Sequence, residues 1–124
     1  MKKLFIVFFL MIIPASIIAQ EWYEGGDLHN KSALEWQEAS YENKLATCAD
    51  FVAVAWQNDS LSPKLQSKIT SMDDVKLLSK ELVIAIDEAF KKEGDAEKNK
   101  MIFTNQKVSE SAVILMLMMG WIEK

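Results

Sequence analysis

The sequence predicts an all-α fold, a small single-domain bundle of about four helices spanning residues 32–124. Three observations predict it. Apolar residues recur at helical spacings of three, four and seven through the middle of the chain. Serine-led capping signals stand ahead of the periodic segments: Ser32 with Glu35, Ser62 before Pro63, and Ser71 with Asp74. Nothing between Ala33 and Asn58 is glycine or proline, so no breaker interrupts the longest periodic stretch.

From Ser32 the apolar positions Leu34, Tyr41, Leu45, Ala49, Val52 and Trp56 suit one helix, or two joined at Ser40. Asn58 to Ser60 ends that segment. Proline at the first helical position costs no hydrogen bond, so a short helix is expected from Pro63 to about Ile69. Val75, Leu78, Leu82, Ala85, Ala89 and Phe90 trace the face of a further helix, with Gly94 as its expected stop. Gly94 to Lys100 is charged and reads as a solvated loop. Met101 to Thr104 is ambiguous between strand and coil. A last helix is expected to begin between Asn105 and Ser111 and to run to Trp121.

The first 19 residues have the tripartite pattern of a secretory signal peptide. Lys2 and Lys3 precede an unbroken apolar run from Leu4 to Ile13. Pro14 breaks the run, and Ile17 and Ala19 occupy the recognition positions before a cut at Ala19–Gln20. A span of the bilayer needs about 20 apolar residues, and Pro14 and Ser16 interrupt a shorter stretch. The expectation is a periplasmic or secreted protein with no membrane span after cleavage. Residues 20–31 form an irregular lead-in rich in glycine and aromatic side chains, carrying Trp22, Tyr23 and the Gly25–Gly26 pair.

Charge narrows the partners. Removing residues 1–19 leaves 12 lysines against 18 acids, a formal charge of −6, and the chain has no arginine. Phosphate neutralisation dominates nucleic-acid affinity, so a nucleic acid is not expected. Long-range steering favours a cationic partner, expected to be another protein. Cys48 is the only cysteine, so no internal disulfide can form. A buried, inert thiol is expected there.

Candidate binding residues are Trp22, Tyr23, Asp27, His29, Trp36, Asn43 and Asp50. Asp50 is the single charge in Leu45 to Trp56, a stretch apolar on nearly every face and therefore expected to be a central helix. A carboxylate there needs a hydrogen-bond partner or a counter-ion; a neighbouring helix cap or a lysine is expected to serve. Asn43 lies two turns earlier on the same face, with Trp36 a further seven back. Glu24, Asp27 and His29 fall short of the three or four well-placed ligands of a zinc site, so no metal or cofactor is expected. His29 and Cys48 have the residue types of a cysteine nucleophile and its base, but no nucleophile elbow or cysteine-protease signature accompanies them. No catalytic residue is assigned and the chain is not expected to be an enzyme. Ala112 to Ile122 carries no charge and includes three methionines, so it is expected to be buried on most sides; the competing reading is an adaptable groove for a partner.

The pattern Gly25-Gly26-x-Leu28-His29, then Glu35-Trp36-x-x-Ala39, then Asn43-Lys44-Leu45-Ala46-Thr47 with Asp50-Phe51, resembles a group of small exported bacterial proteins. The resemblance covers roughly residues 24–56. It implies a bacterial, free-standing exported domain and supplies no activity, substrate or catalytic residue. In size, export and helicity the chain is also similar to periplasmic acid-stress chaperones and to immunity proteins against cell-wall hydrolases, though it lacks their paired cysteines. These readings give a protein-binding module, in its specific form an inhibitor or immunity protein against a basic cell-wall enzyme. An envelope stress chaperone and a small hydrolase are the alternatives.

Overall fold

The computed structural model describes residues 20–123; the expected signal peptide, 1–19, lies outside the described residues. The described part is all-α, with six helices in place of the four expected: α1 Ala33–Glu38, α2 Tyr41–Gln57, α3 Pro63–Lys68, α4 Met72–Ala89, α5 Ala96–Phe103 and α6 Val108–Met118.

Both extra helices have local causes. At Ser40 the backbone is extended (φ −73°, ψ 157°) and the hydroxyl accepts a hydrogen bond from Asn43 N–H at 3.1 Å, so a new helix starts there. The preceding Ala39 is also extended, and α1 and α2 are therefore separate. Helix α5 spans most of the expected charged loop, residues 94–100, and continues through Phe103, so residues 101–104 are neither strand nor coil but the end of this helix with its cap. Asp95 caps it through bonds from Glu97 and Lys98 N–H, and Asn99 and Phe103 make a narrow buried edge that composition conceals.

The expected Ser32 capping box is present, with Ser32 and Glu35 each bonding the other's backbone N–H. Ser62 and Pro63 open α3 as expected. Ser71 stands at the N-cap of α4 but makes no side-chain cap bond. Asp74 reaches back past it to the N–H (2.9 Å) and hydroxyl (3.1 Å) of Thr70. Helix α4 stops at Ala89, before Gly94. Helix α6 stops at Met118, short of Trp121, because Gly120 takes φ +75° and closes a Schellman turn: Trp121 N–H donates to Met116 O at 2.9 Å, and Gly120 N–H to Leu117 O.

Helix α4 is the hub. It packs against α2 on one side and α6 on another, while α1 packs against α5. Val75, Leu82, Val83 and Ile86 of α4 meet Leu45, Cys48 and Val52 of α2 in one core. Trp36, Phe90 and Phe103 extend it as successive edge-to-face rings, 6.4 and 6.0 Å between centroids. The Trp36 indole donates to Asp87 Oδ1 at 2.9 Å, and Lys44 Nζ reaches the same oxygen at 3.0 Å, so one carboxylate ties α1, α2 and α4. Gln37 and Asn99 exchange side-chain amide bonds across α1 and α5.

Two expectations of burial fail. Helix α2 is not enclosed on all sides: Val54 is 54% exposed and the Asp50 side chain 48%. Helix α6 buries only Val108, Ala112 and Met116, leaving Val113, Ile114, Leu117 and Met118 exposed. Helix α4 covers one stripe of this 11-residue helix, which is apolar throughout from Ala112 onward. No described helix is long and apolar enough to cross a membrane.

Candidate functional site

The lead-in runs along α2 in the same direction as the helix and docks on successive turns of one face. Gly26 comes closest. A Cβ there would collide with the backbone of α2, at 2.7 Å from the Ala46 carbonyl carbon and 2.8 Å from Thr47 Cα. Only glycine permits this approach. Next along the strap, Asp27 N–H donates to Asn43 Oδ1 at 3.0 Å and Asn43 Nδ2 returns a bond to Asp27 Oδ1 at 2.8 Å. Leu28 buries its side chain and gives its N–H to Thr47 Oγ1 at 3.2 Å. His29 then places Nε2 2.8 Å from Asp50 Oδ2, with its ring edge-to-face on Phe51 at 5.3 Å. The His29 carbonyl accepts from Ser109 N–H and the Lys31 carbonyl from Val108 N–H, so the same strap also fixes the start of α6.

This strap positions the His29–Asp50 pair at one end of an apolar groove of about 370 Å³ between α2 and α6. Phe51, Val54 and Ala55 line it from α2, Val113 and Met116 from α6, and Ile122 from the C-terminal tail. Asn58 and Ser60 close the far end. No residue of α4 lines it, although α4 packs against both walls. The tail is held in place by Ser62 N–H donating to Trp121 O at 2.7 Å and by an isolated bridge pairing of Leu61 with Ile122.

Of the seven expected binding residues, the groove gathers two, His29 and Asp50. Trp36 is a correction: it is 1% exposed and its indole bonds within the core, so it offers nothing to a partner. Asp27 and Asn43 are occupied with each other. Trp22 packs on the core edge with Lys76 Nζ over its ring at 5.3 Å, and Tyr23 stands edge-to-face on Trp22. Both are half-buried parts of the strap. Asp50 has a partner, as a carboxylate on that helix required, but the partner is His29 from the strap, not a cap or a lysine. Of the apolar walls of the groove, Phe51 and Val54 went unassigned in the sequence, whereas Val113, Met116 and Ile122 fall in the segment 112–122, whose competing reading is a groove for a partner. Their signal was present as two helices more apolar than a small core can bury.

Little in the site is reactive. Cys48 is fully buried in α2; burial pushes its thiol well above the usual range, with the charge of Asp87 adding to the effect. It does not line the groove, and the His29 side chain bonds to Asp50, so the pair expected of a cysteine nucleophile is not formed. Among the described residues no three His, Cys, Asp or Glu side chains converge to hold a metal ion. What the arrangement offers is an apolar trough with a carboxylate held at its edge.

Fold and site together define a small all-α protein with an open groove between two helices. No family model, no curated protein and no solved structure matches the chain.

Proposed function

We propose that the protein is an exported protein-binding module whose α2–α6 groove receives an apolar segment of another protein. The observation that carries this reading is the groove itself: six apolar side chains from three separate segments line it, with Val54 and Val113 exposed, beside a fixed His–carboxylate pair. Small proteins bury such material when they can, and contiguous exposed apolar surface marks interaction sites. Export is supported by Lys2, Lys3, the Leu4–Ile13 run and the Ala19–Gln20 cut pattern. The formal charge of −6 on residues 20–124 supports the specific form, an inhibitor or immunity protein that meets a basic cell-wall enzyme.

A photo-crosslinker placed at Val54, in the groove, and another at Ile84, exposed on α4, tests the reading in envelope extract. One partner captured from Val54 and not from Ile84 supports it. Identical capture from both positions refutes it. The N-terminus of the recovered protein should be Gln20; an intact Met1 in the membrane fraction removes the exported, soluble form.

A second reading, an envelope chaperone of low specificity, is favoured by one observation. Val113, Ile114, Leu117 and Met118 form an apolar stripe along α6 that extends beyond the groove. It requires broad capture of unfolded clients, strengthened in acid, through Ile114 and Met118.

A further inference from the structure

We propose that the occupant of the groove is a cationic amphipathic helix of another protein, anchored by a lysine or arginine on Asp50. The inference rests on the groove reading above and specifies its ligand.

The helical form follows from the walls. The groove runs between two helices and offers no strand edge. An extended segment would lay its backbone N–H and C=O groups against apolar side chains without partners. A helix satisfies its own backbone and presents side chains at i, i+3, i+4 and i+7 to such a trough.

The sign of the charge follows from the rim. Asp50 gives Oδ2 to His29 and is still half-exposed, so the other oxygen is available to a donor. Among the described residues no lysine lines the groove. Asp59 stands between the lining residues Asn58 and Ser60, and Glu110 lies one turn before Val113 on the same face of α6; both are exposed. Helices α2 and α6 both end beside the groove, and neither has a basic residue in its last turn. Within their own last turns, the negative ends of both helix dipoles therefore carry no compensating cation. An acidic helix would meet this field unfavourably, and a neutral one would forgo the charge-assisted hydrogen bond to the Asp50 oxygen. His29 acts as a positioning residue: it holds the carboxylate at the groove edge and touches the occupant only through it.

Three synthetic 14-residue helical peptides test this by calorimetry against the protein lacking residues 1–19: one of leucine and lysine, its leucine–glutamate counterpart, and a serine–lysine control. The leucine–lysine peptide should bind at least tenfold more tightly than either other. Asp50→Asn should weaken it about fivefold or more with an unchanged melting temperature, and Asp50→Lys should shift preference towards the leucine–glutamate peptide. Val113→Asp, which puts a charge in the trough, should abolish binding of the leucine–glutamate peptide to the Asp50→Lys protein. Equal binding of both leucine peptides, blocked by Val113→Asp, overturns the cationic anchor and keeps the groove reading. Equal binding of the serine–lysine control overturns the anchor as mere surface attraction. No binding by any peptide, or a self-association that Val113→Asp abolishes, overturns both.

Discussion

Gly26→Ala isolates the contact on which the site's geometry depends. The added methyl would meet the amide nitrogen, Cα and preceding carbonyl carbon of the Ala46–Thr47 peptide on α2. These are backbone atoms in the middle of a 17-residue helix, so they cannot swing aside as a side-chain tip would. The strap must lift. Lifting exposes Leu28, now 4% exposed, whose burial stabilises by about 2 kcal/mol. It also strains the Leu28 N–H bond to Thr47, worth about 1 kcal/mol net. If the strap stays seated, the overpacking itself costs about 1–3 kcal/mol. Either route gives a loss of about 1–3 kcal/mol. For a domain of this size the melting temperature should fall by roughly 4–24 °C, taking about 4–8 °C per kcal/mol. Gly94→Ala is the control: a Cβ there meets nothing within 4 Å, and φ is unstrained, so its melt should move by less than about 0.5 kcal/mol. Urea titration and calorimetry of both variants decide the matter. A Gly26→Ala protein as stable as the Gly94→Ala protein would refute the close docking of strap on helix.

Asp59 holds φ +55° at the turn after α2, where Ser60 N–H donates to Ala55 O and Asp59 N–H to Trp56 O; this is the position that favours glycine. Asp59→Gly should therefore stabilise by about 0.5–1 kcal/mol, and a lower urea midpoint would contradict it. Cys48 should resist thiol reagents in the native state and react on unfolding, because burial raises its thiol; rapid native labelling would show that α2 opens. The Asp74 carboxyl is held below its usual range by the Thr70 N–H first and the Thr70 hydroxyl second. Its folded value lies below the unfolded one, so its contribution is present above the unfolded value and is lost as pH falls through the folded value. Asp74→Asn should melt below wild type at neutral pH and converge with it in strong acid; a constant gap at all pH values would show that the bonds to Thr70 do not depend on ionisation.

The sequence made some features legible and concealed others for physical reasons. Capping boxes and proline at a first turn act within four residues, so the starts of α1 and α3 could be read directly. Helix α5 was hidden because its buried edge is only Asn99 and Phe103 within a charged run. The break at Ser40 was legible as one of two readings, because a serine within a periodic stretch can cap a new helix or sit inside a continuous one. The His29–Asp50 pair joins residues 21 apart, and no local pattern encodes that distance. The exposure of α6 is hard to read for a different reason. Periodicity reports which residues are apolar, but burial depends on how many neighbours the fold supplies. For α6 it supplies α4 on one side and leaves the opposite stripe in water.

Eight residues of the pattern between Gly25 and Phe51, namely Gly26, Leu28, His29, Trp36, Asn43, Lys44, Thr47 and Asp50, are therefore not scattered. Every one belongs either to the strap-on-helix contact or to the Asp87 junction that binds α1 and α2 to α4. Apart from the half-exposed Asp50, their first task is to hold the fold, which explains why most offer nothing to a partner. Yet the strap ends at His29, and His29 fixes the one carboxylate that faces the groove. Stability and recognition are linked mechanically at that point: what lifts Gly26 from Thr47 also loosens the partner of Asp50. The separate roles can be distinguished because Asp50 is half-exposed and Leu28 is buried. Changes at Leu28 or Gly26 should lower stability and binding together, whereas changes at Asp50 should move binding with little effect on the melt.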